Sequence, residues 1–340
     1  MKILQNLTCL TVLTAVAATV SAQGWDRQTL VVTSSNTAAN HLLIYSASNH
    51  LLQSLATGGK GGVSGNAGGI AVSRDHLAVV NFASQNVSIF EPKWDGFRLQ
   101  QIVPAVSGPQ SIAFGHRHLY ILGASKVESH RIDEYGISNS PDGVAELVKA
   151  DGSAAQVGVV EDQLIITEKS NAIETVNLHE DGAVSGVATL VQNIPANVNA
   201  PFGLVTRGND AYVTIAHANE ISLVRNDDVL TTTGSGTQSA PCWLALEGPF
   251  LFSSNSPSKS ISRYVVYGQK IIQDAAVAAT LVGNPTDIAY KSGLVAVVDG
   301  AAGVSRLSTF KADEDGNLVL VGVSTINSAA NGVAIISNEE

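Results

Sequence analysis

A short apolar strand introduced by a small or proline-bearing turn recurs seven times along the chain, and no other feature limits the fold so sharply. The copies read GGIAV, PQSIAF, AQVGVV, PFGLV, PCWLAL, PTDIAY and ANGVAI. Anchoring each on one apolar residue gives Ile70, Ile112, Val157, Leu204, Leu244, Ile288 and Val333, with spacings of 42, 45, 47, 40, 44 and 45 residues. In the first six copies a second strand is expected to start seven residues after the anchor. Helical solenoids have similar periods, so the pattern inside each unit has to arbitrate. Apolar residues alternate in Asn86-Val87-Ser88-Ile89-Phe90 and in Ser260-Ile261-Ser262-Arg263-Tyr264, as they do on strands, and no segment carries a sustained 3.6-residue stripe. Asp95-Gly96, Asp142-Gly143, Asp181-Gly182 and Asp315-Gly316 supply hairpin turns between the third and fourth strands. Units of this length with four short strands form β-propellers.

The chain ends set the number of blades. The last copy, 330–337, provides one strand, and the missing three are expected at Leu30 to Thr33, His41 to Tyr45 and Leu51 to Leu55. One shared blade and six complete ones make seven, all-β, closed by pairing the C-terminal strand with N-terminal ones. Closure of this kind removes the terminal edge that would template aggregation. The 31 glycines and the low charged fraction of 14% suit many short strands and tight turns.

Met1-Lys2, an apolar run from Leu7 to Val20 and the small residues Val20-Ser21-Ala22 read as a secretory signal peptide. The expected mature chain is then a single domain, 23–340, located outside the cell. Of two cysteines Cys9 falls in the signal, leaving Cys242 without an intramolecular partner. A net charge of -10 with only 19 Lys and Arg argues against nucleic acid and anionic membranes as partners. Asn86-Val87-Ser88 is an N-glycosylation sequon, and a used and an unused sequon are both open readings.

The stretch Ala240-Pro241-Cys242-Trp243-Leu244-Ala245-Leu246, followed by Ser254-Asn255 and Ser260 to Tyr264, resembles the lactonase-type seven-bladed propellers. Asn284-Pro285-Thr286-Asp287-Ile288-Ala289 and Ala330-Asn331-Gly332-Val333-Ala334 fit the same group. That superfamily contains 6-phosphogluconolactonase and carboxymuconate cyclase-like proteins, and the resemblance covers essentially the whole mature chain. It implies lactone chemistry on a small carboxylate or lactone, by ring opening or by lactonizing closure, without an organic cofactor. His116, His118, His130-Arg131 and Arg207 do not reproduce a catalytic motif of that group.

In a propeller the first strand of each blade lines the channel, and the loops leading into it form a ligand-binding face. Just before the anchors stand Gln110, Gln156, Cys242, Trp243, Asp287 and Asn331. At the ends of the second strands stand Ser34, Asn81, Gly123, Glu168, Ile215, Asn255 and Asp299. The functional reading makes Glu168, Asp287 or Asp299, or His217 in the next loop, the acid or base, with Asn81, Gln110, Gln156, Asn255, Trp243 and Asn331 binding the ligand. The structural reading has the same residues hydrogen-bonding blade backbones. Asn81, Glu168, Asn255 and Asp299 also offer hard oxygens suited to Ca²⁺, with a water-filled channel as the alternative. Cys242 reads as a buried thiol or, if a base is near, a nucleophile. Gly58-Gly59-Lys60-Gly61-Gly62 lacks phosphate-loop spacing and reads as a flexible connection. A non-catalytic propeller that binds carbohydrate or a protein partner is the competing function.

Overall fold

A computed structural model describes residues 29–93, 96–192, 200–301 and 303–337. The expected signal peptide with Cys9, and Asp95 of the first Asp-Gly turn, lie outside the described residues. Seven sheets, antiparallel except for one strand added to the third, surround a central channel. The blade that joins the two ends has strand order Leu51–Ala56, His41–Ser46, Leu30–Ser34, Asn331–Ile336, with the C-terminal strand innermost. Leu30 pairs with Ile336 and Thr33 with Val333, and the Thr33 hydroxyl donates to the Gly332 carbonyl at 2.7 Å. All three N-terminal strands lie within one residue of their expected limits. Numbering this blade one, the innermost strands of blades two to seven are Ile70–Val72, Ser111–Gly115, Ala154–Val160, Pro201–Arg207, Pro241–Glu247 and Asn284–Lys291. Each contains its anchor.

Strand alternation explains the packing. Successive side chains point to opposite faces, and a propeller strand has a neighbouring blade on both. Leu77 and Val79 of blade two therefore pack on Leu30, Val32 and Ile44 of blade one, while Ala78 and Val80 of the same strand pack on Leu119 and Ile121 of blade three. In blade seven, Val295 and Val297 face Phe252 and Ile261 of blade six, and Ala296 and Val298 face Val31 and Val333 of blade one. The seven apolar clusters correspond to the seven seams. The ring closes by the same packing that builds each junction.

Blade three departs from the four-stranded expectation. Its sheet has six strands, because a small hairpin pairs Gly136–Ile137 with Lys126–Asp133, and Ser185–Val187 adds in parallel to Gly143–Glu146. The Asp181-Gly182 turn thus leads into a strand of the preceding blade, not into the outer strand of blade four, which is Thr189–Leu190. The glycine-rich connection 58–62 is also fixed rather than loose. Gly61 N and Gly62 N donate to the carbonyls of Thr37 and Asn36, and Asn36 Oδ1 accepts from Gly62 N at 2.6 Å.

Candidate active site in the central channel

Backbone N–H groups on the channel side of the inner strands have no further strand to pair with, and side chains from the preceding blade supply acceptors. Ser111 Oγ accepts from Val157 N at 3.2 Å, Gln156 Oε1 from Leu204 N at 2.7 Å, and Asp287 Oδ2 from Val333 N at 3.1 Å. All three acceptors stand one residue before an anchor. The repeat places them at one level of the channel.

Above this level the channel is roofed. The connection from blade one to blade two carries Asn66 inward, where its Nδ2 donates to the Gln110 carbonyl at 2.7 Å. Asn331 Nδ2 donates to Asn66 Oδ1 at 2.8 Å, and Trp243 Nε1 donates to the Asn66 carbonyl at 3.1 Å. The Trp243 ring meets Phe202 edge-on, with centroids 5.2 Å apart. Gly68 and Gly69 permit this close approach: a Cβ on Gly69 would lie 2.4 Å from Asn331 Oδ1, and one on Gly68 would lie 2.8 Å from Ser111 Oγ. Gln110 Oε1 is buried without a hydrogen-bond partner.

Beneath the roof is a cavity of about 310 Å³, lined by Gln156, Trp243, Asp287, Tyr290, Lys291 and apolar side chains including Leu204, Leu246 and Val333. Asp287 Oδ1 also accepts from Ile288 N at 2.8 Å. Burial nevertheless outweighs both backbone donors and pushes the Asp287 carboxyl up to about 7. With Oε1 of Gln156 engaged by Leu204, its amide N–H groups are the donors this side chain can offer the cavity. A larger groove of about 610 Å³ at the seam of blades seven and one, lined by Ser46, Ser292, Leu294, Lys311 and Val321, contains one titratable side chain, Lys311. The channel has the richer chemistry.

The sequence candidates separate into two sets. Gln110, Gln156, Trp243, Asp287 and Asn331 come together at the roof and upper channel. Asn81, Glu168, Asn255 and Asp299 lie in blades two, four, six and seven, each tied to its own blade or the connection beside it. Asn81 Oδ1 accepts from Thr57 Oγ1 at 2.8 Å and its Nδ2 donates to Ser88 Oγ at 2.7 Å. Asn255 Nδ2 donates to Ser262 Oγ at 2.8 Å, and Asp299 Oδ2 accepts from Gly283 N at 2.7 Å. Glu168 Oε2 accepts from Ser153 Oγ at 2.7 Å, and burial pushes this carboxyl up to about 8. Asn81, Glu168 and Asn255 thus bond side-chain hydroxyls, whereas Asp299 bonds backbone N–H groups of the connection leading into its blade. Among the described residues no three His, Cys, Asp or Glu side chains are grouped to hold a metal.

His217 is exposed in a short helical turn, Ala216–Ala218. The Cys242 thiol is pushed up to about 12 by burial and its Sγ lies 3.2 Å from the Ala240 carbonyl, which makes it a poor nucleophile. Asn86 is half-buried, with Oδ1 accepting from Asn81 Nδ2 at 2.8 Å and Nδ2 donating to the Ser84 carbonyl at 3.3 Å. Asn66 was missed by sequence reasoning, as were Ser111 and Tyr290. The signal for Asn66 was the Gly68-Gly69 pair beside it, which marks close backbone approach.

No protein-family model matches the sequence, and no curated protein matches it. Solved structures do share its fold. A Bacteroides uniformis protein provisionally designated a 6-phosphogluconolactonase superimposes with a TM-score of 0.70 at 15% identity, over 92% of this chain and 100% of that one. A periplasmic gluconolactonase of Pseudomonas aeruginosa gives 0.68 at 12% identity, covering 91% and 99%. A Lactobacillus plantarum protein gives 0.66 at 14%, also covering 91% and 99%. The chain therefore has the seven-bladed propeller fold that its repeats suggest, and shares it with these gluconolactonase and 6-phosphogluconolactonase-type structures.

Proposed function

We propose that this protein is an exported enzyme that opens a small lactone inside its central channel, with Asp287 as the proton-transfer group. One observation carries the reading: a buried carboxyl poised near neutrality on the wall of a channel cavity of small-ligand size, opposite the donor groups of Gln156. A general base works best when its pKa is close to the ambient pH. Ionised Asp287 takes a proton from water as the water oxygen bonds to the lactone carbonyl carbon. The ring C–O bond then breaks, and the proton passes to the departing alkoxide, leaving a hydroxy acid. Gln156 N–H groups stabilise the carbonyl oxygen as it gains negative charge. The lactonase-like fold supports this choice of substrate class, and the Met1 to Ala22 pattern supports export.

Lactonizing closure would instead need Asp287 protonated, to deliver its proton to an alkene carbon. The two directions differ in pH dependence. Ring opening rises with pH through about 7 as the carboxyl ionises, whereas closure falls over the same range. The test is acid release by the purified protein from a panel of aliphatic and sugar lactones, compared with Asp287→Asn. We expect turnover that the substitution lowers by about 10²–10⁴-fold. Absence of turnover above background, or an Asp287→Asn variant as active as the parent, would overturn the proposal.

A further inference from the structure

We infer that the outer rim between blades two and three carries a second binding site, independent of the channel, for a neutral carbohydrate. A groove of about 430 Å³ is lined there by Gln100, Gln101, Tyr135, Ser138 and Asn139 together with Asp133. It exists because the Lys126–Asp133 strand continues into the small hairpin that the other blades lack and leans on the outer strand of blade two, Gly96–Pro104. Gln101 fastens the two blades: its Oε1 accepts from Ile137 N at 3.2 Å, and its Nε2 donates to the Ile137 carbonyl and to Asn139 Oδ1 at 2.9 Å. The groove floor is thus set by a side chain already locked in place.

Tyr135 at the hairpin tip is 88% exposed. Lining the groove, this exposed ring is available as an apolar stacking face. Asp133 Oδ1 accepts from Tyr135 N at 2.8 Å, which fixes the tip and occupies one oxygen of the charged group in the groove. Ser138 Oγ is buried without a hydrogen-bond partner. The lining therefore combines an exposed aromatic ring with carboxamides, groups that both donate and accept. A pyranose presents the matching chemistry, an apolar C–H face for the ring and adjacent hydroxyls for the amides. Asp133, the neighbouring Glu134 and the overall charge of -10 disfavour sugar acids.

The probes are cellohexaose, xylohexaose, chitohexaose and an oligogalacturonate, titrated calorimetrically into the full-length secreted protein. At least one neutral oligosaccharide is expected to bind. Tyr135→Ala should weaken binding about tenfold or more, and Gln100→Ala should weaken it several-fold. Tyr267→Ala is the matched control, because Tyr267 is 81% exposed on another hairpin outside this groove, and it should leave binding unchanged. Thermal melting of each variant reports folding, and lactone turnover should be unaffected by Tyr135→Ala. No neutral sugar binding at millimolar concentration, preference for the oligogalacturonate, or equal losses in Tyr135→Ala and Tyr267→Ala would each overturn the inference. Loss of lactone turnover in Asp287→Asn leaves this site untouched, so the two readings fail separately.

Discussion

Asp287 stands where two opposing influences meet: two backbone N–H donors favour its carboxylate, and removal from water disfavours it more strongly. Glu168 experiences the same imbalance in blade four, where burial dominates the Ser153 hydrogen bond and the charges of Glu174 and Asp151 add to it. Both carboxyls have folded values above their unfolded ones, so between these limits the native chain holds protons that the unfolded chain has released. Stability from these groups is fully present below about pH 4 and is lost as pH rises through about 7 and 8. Each contributes a slope of up to about 1.4 kcal/mol per pH unit. Urea midpoints should therefore fall between pH 5 and pH 8, and Glu168→Gln should flatten that fall and be the more stable protein at pH 8. A parent whose midpoint rises over this interval would contradict the assignment. The catalytic role proposed for Asp287 predicts a separate signature, a pH–rate limb near 7 that disappears in Asp287→Asn.

At the scale of the element, the roof loop distinguishes this channel from an open hole. Asn66 ties Gln110, Asn331 and Trp243 together, so its removal leaves the Gln110 carbonyl and the Asn331 amide without partners in a buried place. Asn66→Ala should cost about 1–3 kcal/mol, measured by chemical denaturation. Gly69→Ala should destabilise by a similar amount, because its Cβ would overlap Asn331 Oδ1. If both variants match the parent, the roof is not held as described. The strands were legible because each repeats the same alternation, and Gln110, Gln156, Trp243, Asp287 and Asn331 were legible because the repeat fixes their level. Asn66 was not, since it belongs to a connection of unique sequence. Nor could the repeat show that Glu168 and Asp299 are used within their own blades, because residues at one level of a ring can point to the axis or to a neighbouring turn. The Ser185–Val187 strand was also hidden: three exposed residues carry no alternation that reveals which blade they join.

For the whole molecule, stability is distributed over seven equivalent seams, and the C-terminal strand participates in closing the ring. Val333 and Ile335 are buried in the seam between blades seven and one, each contributing about 1.5–3 kcal/mol. Truncation after Ala330 removes both, along with the pairing of Leu30 to Ser34, and should exceed the typical margin of about 5–15 kcal/mol. The truncated chain should lose its cooperative melt, whereas a circular permutant with the paired ends joined and new termini at Gly268 should keep it. An unchanged melting temperature after truncation would show that the ring does not need its clasp. The seven-fold count was readable because an incomplete last repeat and an incomplete first one complement each other.

The claim that joins these scales is that the central channel, beneath Trp243 and beside Asp287, is where a ligand is held. Its most direct test is a crystal structure of the protein soaked with the hydroxy acid released from its best lactone. The account predicts that molecule in the channel cavity, with its carboxylate within hydrogen-bond distance of the Gln156 amide and its hydroxyl beside Asp287. A ligand bound elsewhere with the channel holding only water, at concentrations that saturate turnover, would contradict it.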